Sequence, residues 1–258
     1  MREGIPEGAN NKMLPTIEKQ DWQKHASQTD WADYYARRAN ETRSGVLRSF
    51  FTQGVVSPET RLSEAPLIAM DFETTGLDPD QDKIVSIGVV QFDLKRIRCS
   101  KSSHWLVKTE GDTLSEESVV IHGITHSQVE AAPFHGPILK ALLEKMAGKI
   151  VVVHYYPIER QFLGNAIQGL TGEEFLFPVI DTFHIESVIQ RARSKGWWNR
   201  LRGRKARPAR LGPARIRYNL PVYRPHHALG DALATAELLQ AQMACYGSED
   251  LCVGDIWL

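Results

Sequence analysis

The chain has 258 residues, 42% of them hydrophobic, and its 31 basic residues are balanced by 31 acidic ones. That length buries one good core with an appendage but hardly two full domains, and no apolar run approaches the roughly 20 residues needed to span a bilayer. The N-terminus, MREGIPEGANNKMLPTIEKQ, is too polar for a secretory signal, so a cytoplasmic protein with no membrane partner is expected.

Residues 1–64 read as a helical N-terminal extension, and residues 65–258 as the main domain. In the extension Trp31, Tyr34 and Tyr35 follow Thr29 as a candidate cap, and Val46, Leu47, Phe50 and Phe51 recur at helical spacing. Such faces must pack on something. Docking onto the main domain is the expectation, with a homodimer or protein partner as the alternative.

From Pro66 the pattern changes to strands. PLIAMDFE, KIVSIGVVQFD and HWLVK, joined by turns such as GLDPDQD, predict three antiparallel strands. PILKALLEKMAGK predicts a helix, with Ile138, Leu139, Leu142, Leu143 and Met146 on one face and Gly148 as its stop. Then KIVVVHYY reads as a buried strand, PIERQFLGNAI as a helix, FPVID as a strand and TFHIESVIQ as a helix. ALGDALATAELLQAQM closes the pattern with a helix carrying Leu229, Leu233, Ala236, Leu239 and Met243. Strands followed by alternating helix and strand describe an α/β fold with a mixed sheet, in which functional groups gather at strand ends. Cys99, Cys245 and Cys252 are odd in number and lack a CxxC pair, which argues against a disulfide framework or a cysteine zinc site.

The neutral balance hides an asymmetry. A basic insert at residues 191–217 holds 11 Lys plus Arg and no acid, leaving 20 basic against 31 acidic residues elsewhere. A basic strip on an acidic body suits a polyanionic partner and a separate carboxylate-rich site. Trp197 and Trp198 beside Arg200, Arg202, Arg204 and Lys205 combine stacking rings with phosphate-neutralising charges, which suits a single strand of nucleic acid. A solvated loop is the bland alternative.

Asp71 and Glu73, at i and i+2 in MDFETTG, end an apolar strand with both side chains on one face. Two carboxylates aimed together repel unless a cation lies between them, and a hard divalent ion is the natural occupant. In PHHALGDALATAE, His226 and Asp231 lie five residues apart, so they share a site only if His226 precedes the helix and Asp231 sits in its first turn. Pro225 favours that boundary.

MDFETTGLDPDQDKIVSIG, HYYPIERQFL and HHALGDALATAELL, in that order, resemble the three motifs of the DEDDh (DnaQ-like) 3′-5′ exonucleases, a family that includes the proofreading epsilon subunit of bacterial DNA polymerase III. The likeness covers roughly residues 66–245. It implies a ribonuclease H-like fold with a mixed central β-sheet flanked by helices, and a catalytic site that hydrolyses phosphodiester bonds from a 3′ end to release nucleoside 5′-monophosphates. Asp71, Glu73, Glu159 and Asp231 would hold two Mg²⁺ or Mn²⁺ ions about 4 Å apart, which polarise the phosphate and activate water. His226 would take the water's proton, with His227 the neighbouring candidate. Thr74, Thr75, Gly76 and Leu77 match the segment that cradles the terminal nucleotide, and His122 in HGIT matches a further substrate-side position.

The sequence departs from the family at Glu159, where an aspartate is usual. Glutamate offers the same hard donors on a longer arm, so a helix set slightly farther back would still present it; a first-turn acid that merely complements the helix dipole is the alternative. The expected activity is a metal-dependent exonuclease on DNA, preferring single-stranded or frayed ends. An RNA or short-oligonucleotide exonuclease, or a non-catalytic nucleic-acid-binding protein on the same fold, is the alternative. The short tail GSEDLCVGDIWL after the last helix leads to an expectation of stand-alone repair or turnover rather than replicase proofreading.

Overall fold

The computed structural model describes residues 17–109, 116–194 and 208–258. Five strands, β1 (Leu67–Thr74), β2 (Ile84–Phe92), β3 (Ile97–Leu106), β4 (Ile150–Val153) and β5 (Val179–Asp181), form one sheet in the order β3-β2-β1-β4-β5. β1, β2 and β3 pair antiparallel, whereas β4 runs parallel to β1 and β5 parallel to β4. The expected mixed sheet is therefore present, with β1 at its centre. Leu67, Ile68, Ala69 and Met70 are all buried, as a central strand covered on both faces demands. The third strand starts at Ile97, earlier than HWLVK suggests. Its first half, IRCSKSS, lies at the sheet edge and is polar and largely solvent-facing, so it carries no hydrophobic alternation to mark it.

Ten helices frame the sheet among the described residues: α1 (Lys19–Gln23), α2 (Trp31–Glu41), α3 (Gly45–Thr52), α4 (Glu116–His122), α5 (His126–Glu130), α6 (His135–Met146), α7 (Tyr156–Thr171), α8 (Thr182–Ser194), α9 (Leu211–Arg217) and α10 (Ala228–Tyr246). None is long and apolar enough to cross a membrane. Helix α10 lies across β1 and β2. Its Ala232, Ala236 and Leu239 are fully buried, the small residues letting the helix approach the sheet closely.

The apolar faces of α2 and α3 are spent within the chain. Trp31, Tyr35, Leu47, Phe50 and Phe51 belong to the same buried cluster as the sheet residues. The rings of Phe50 and Phe51 stand 5.2 and 5.9 Å from that of Phe175. The Glu173 carboxylate accepts from Thr42 Oγ1 and from the backbone N–H groups of Arg43 and Ser44, each at 3.0 Å, and so ties the start of α3 to the end of α7. Asp30, not Thr29, caps α2, its carboxylate accepting from Asp33 N–H at 3.0 Å. The chain's last residues return to the same side, where Leu258 exchanges backbone hydrogen bonds with Val179 on the open edge of β5.

Candidate active site

Asp71 and Glu73 project from one face of β1, with Thr74 beginning a bulge that ends the pairing with β2. Asp231 reaches the same point from the first turn of α10. Oxygens of Asp71, Glu73 and Asp231 lie within 4.8 Å of one another. What brings the helix so near is Gly88, the β2 residue opposite Asp71. A Cβ there would drive into the backbone of Ala228 and Leu229, so only glycine lets the helix N-terminus rest on the sheet at this position.

Glu159 enters from the first turn of α7. It is 4% exposed, so it is not a solvated surface acid. It stands outside the close trio, yet its charge is the largest neighbouring influence on Asp71. Its Oε2 is buried with no hydrogen-bond partner among the described residues. The turn that delivers it is held by Asp181 at the end of β5. Asp181 Oδ1 accepts from Tyr155 N–H (2.9 Å) and Phe183 N–H (2.8 Å), and Oδ2 from Tyr156 N–H (3.2 Å). Those bonds hold Tyr155 in the left-handed region, at φ +84°, directly before the helix. With its acceptors committed to backbone, Asp181 is a brace for two helix starts rather than a metal ligand.

The electrostatics are those of a site made for cations. Burial and then the charges of Glu159, Asp231 and Glu73 push the Asp71 carboxyl well above the ordinary range. Burial, seconded by Asp231, pushes Glu73 up to about 8. Glu159 and Asp231 are raised too, both chiefly by burial. Four inward carboxylates cannot all ionise in a low-dielectric pocket unless positive charge joins them. Hard oxygen donors, their mutual repulsion and the unpartnered Glu159 Oε2 together fit divalent ions such as Mg²⁺ or Mn²⁺.

Of the two histidines, His227 is the N-cap of α10. Its Nδ1 accepts from Gly230 N–H at 3.2 Å and its ring lies 4.8 Å from that of His104. His226 lies before the helix, as its spacing from Asp231 requires, at a left-handed φ of +63°. Its backbone N–H donates to Asp231 Oδ2 at 2.8 Å. His122, at the end of α4, is buried with Nδ1 accepting from Ile124 N–H at 3.0 Å and Nε2 unpartnered among the described residues. Burial and then His226 hold its pKa below the ordinary value, so the two rings share one neighbourhood.

Beyond β1, Thr75 is buried and its hydroxyl donates to Asp82 Oδ1 at 2.8 Å. Thr74 Oγ1 donates to the Gly76 carbonyl, and Gly76 is pressed against the Asp82 carboxylate so closely that a side chain would strike it. Leu77, three residues after the end of β1, is 79% exposed, an apolar side chain held in solvent. Trp197, Trp198, Arg200, Arg202, Arg204 and Lys205 fall outside the described residues. Sequence reasoning missed Gly88 and Asp181. A glycine in the middle of KIVSIGVVQFD and an acid closing FPVID were the available signals.

The RNase_T exonuclease family model matches residues 68–239. The DNA polymerase III subunit epsilon-like protein of Rhodobacter capsulatus is 32% identical over 180 residues, covering 69% of this chain and 24% of that protein. DNA polymerase III PolC-type of Thermotoga maritima is 28% identical over 183 residues, covering 71% and 12%. The chain thus spans a quarter or less of the length of these relatives. Among solved structures, the nuclease domain of 3′hExo, a DEDDh family member bound to rAMP, superposes with a TM-score of 0.56 at 19% identity, covering 74% of this chain and 96% of that domain.

Proposed function

Because the chain belongs to the DnaQ-like exonuclease family, we propose that it is a metal-dependent 3′-5′ exonuclease that removes nucleoside 5′-monophosphates from DNA, with single-stranded or frayed ends preferred. The observation that carries this reading is the convergence of Asp71, Glu73 and Asp231 within 4.8 Å, with the buried Glu159 beside them. Asp71, Glu73, Glu159 and Asp231 hold the ions. Bound Mg²⁺ or Mn²⁺, two per site, supplies neutralising charge to the scissile phosphate and lowers the pKa of the attacking water.

His226 takes the proton from that water. Its neighbour His227 supports the choice, being committed through Nδ1 to the cap of α10, whereas His226 stands free of that duty. The bond from His226 N–H to Asp231 Oδ2 ties the loop that carries the base to the helix start that carries a ligand. Thr74, Thr75, Gly76 and Leu77 receive the terminal nucleotide, with exposed Leu77 offering an apolar surface to a base and His122 lining the far side. DNA is favoured because relatives that match this segment are named as DNA polymerase III proteins.

The test uses 5′-labelled single-stranded DNA and RNA oligomers with Mg²⁺ or Mn²⁺, comparing the wild type with Asp71→Ala. The expected result is a ladder of shortened labelled DNA, absent with the variant. No shortening of any oligomer with either metal overturns the enzymatic reading, and shortening of RNA alone transfers the substrate to RNA.

A further inference from the structure

Arg160 is the neighbour of Glu159 on α7, and its surroundings come from both ends of the chain. Its guanidinium Nη2 donates to the Phe177 carbonyl at 2.9 Å and to the Leu258 backbone oxygen at 2.6 Å. The same group lies over the ring of Tyr156 at 5.0 Å and over that of Trp31 at 6.0 Å. Trp31 opens α2 and is buried, while Leu258 belongs to the segment that pairs with β5. The two terminal segments are also joined directly, Ser27 N–H donating to the Trp257 carbonyl at 2.9 Å.

Tyr156 sits one turn earlier on the same helix and only steadies the guanidinium; the Phe177 and Leu258 oxygens and the Trp31 ring lie outside α7, and a planar fork held by those three restrains the rotation of the helix that carries it. A rotation of α7 would move the adjacent Glu159, whose added methylene makes its reach depend on where the helix sits. We propose that Arg160 is a positioning residue through which the N-terminal helices and the C-terminal segment set the approach of Glu159 to Asp71. The proposal rests on the metal role of Glu159 given above. It makes the terminal segments part of the site's support, although neither contributes a carboxylate to it.

The test is Mn²⁺ binding to the full chain, read from the electron paramagnetic resonance of free Mn²⁺, with kcat and KM on a labelled DNA oligomer measured alongside. Arg160→Met keeps the stem and removes the fork. It is expected to weaken Mn²⁺ binding on the order of tenfold, the scale for removing a group that orients a metal ligand, and to lower kcat with KM unchanged. Arg160→Lys, which keeps the charge but not the fork, is expected to fall between the two, and decides in the same sense if Arg160→Met does not fold. In a Glu159→Gln background Arg160→Met is expected to add nothing. An Mn²⁺ isotherm unchanged by Arg160→Met, or an equal effect of that variant in the Glu159→Gln background, overturns the proposal. A Glu159→Gln isotherm matching wild type overturns both the metal role of Glu159 and this proposal, whereas a weakened one beside an unchanged Arg160→Met isotherm overturns only the latter.

Discussion

Gly88 stands opposite Asp71 across the β1–β2 ladder, and the first turn of α10 rests against it where any other residue would place a Cβ. The trio of carboxylates therefore depends on an absence of side chain. Gly88→Ala is expected to lift the start of α10, carrying Asp231 away from Asp71 and Glu73. Overpacking of this kind costs about 1–3 kcal/mol, which a denaturant titration reads. Calorimetric Mn²⁺ titration should show weakened binding in a chain that is still folded; unchanged affinity would mean that Asp231 is placed by other contacts.

The charges themselves predict how the metal-free protein responds to pH. A carboxyl whose pKa is higher in the folded chain than in the unfolded one binds its proton more tightly when folded. Folding is then favoured at low pH, and the advantage is lost as pH rises from the ordinary value to the raised one. For Glu73 that window runs from 4.5 to about 8. Replacing Glu73 with Gln removes the penalty, so the difference in Tm between Glu73→Gln and wild type, both without metal, should grow across that window. Mn²⁺ should close the gap from the wild-type side, raising its Tm more at pH 8 than at pH 5. A difference that stays flat with pH would contradict the raised carboxyl.

How much of this was legible in the sequence follows from what each feature asks of it. Asp71, Glu73, His226 and Asp231 each sit within a short local pattern, so spacing put them at a strand end or a helix start, while the resemblance to the DEDDh family supplied the roles proposed for them and the choice of His226 over His227. The α/β order was equally readable from apolar periodicity in β1, β2, β4, α6 and α10. Gly88 and Asp181 were not, because the demand on each comes from an element far away in the chain: the backbone at Ala228 for one, and two helix starts for the other. The cap of α2 fell to Asp30 rather than Thr29, a one-residue shift that caps at neighbouring acceptors allow. The long polar edge of β3 gave no periodic signal at all.

Glu159 separates stability from activity. It is a buried acid among acids, with Oε2 unpartnered, and its burial is not offset by any ion pair among the described residues. Glu159→Gln is therefore expected to raise the Tm of the metal-free chain while lowering exonuclease activity. Glu159→Asp, with a shorter arm, should change the Mg²⁺ and Mn²⁺ midpoints in opposite proportion to their tolerance of loose geometry, Mg²⁺ being the more demanding ion. Identical midpoints for Glu159→Asp and wild type would remove Glu159 from the ligand set.

The aromatic seam between the N-terminal helices and the body predicts that the two share one unfolding transition. Phe51 is 1% exposed and packs on Tyr35, Phe50 and Phe175. Truncating a buried phenylalanine costs about 3–5 kcal/mol. Phe51→Ala should accordingly lower the denaturant midpoint of the whole chain, with tryptophan fluorescence and far-ultraviolet circular dichroism moving together. Separate transitions for the two probes would show the extension to be an independent unit.

His226 and His227 are adjacent in sequence and differ in what they hold. His227 gives its Nδ1 to Gly230 N–H, a cap whose loss costs about 1 kcal/mol. The His226 contact with Asp231 runs through its backbone N–H and survives any change of side chain. His227→Ala should thus lower stability by about that amount and leave kcat near wild type, because the cap frays without removing a reacting group. His226→Ala should leave the Tm and the Mn²⁺ isotherm close to wild type while kcat falls by roughly 10²–10⁴, the range for a lost general base. The deficit in His226→Ala should shrink as pH rises, since hydroxide replaces the missing proton acceptor. Should His227→Ala instead carry the kinetic loss and His226→Ala the loss of stability, the assignments of base and cap are exchanged.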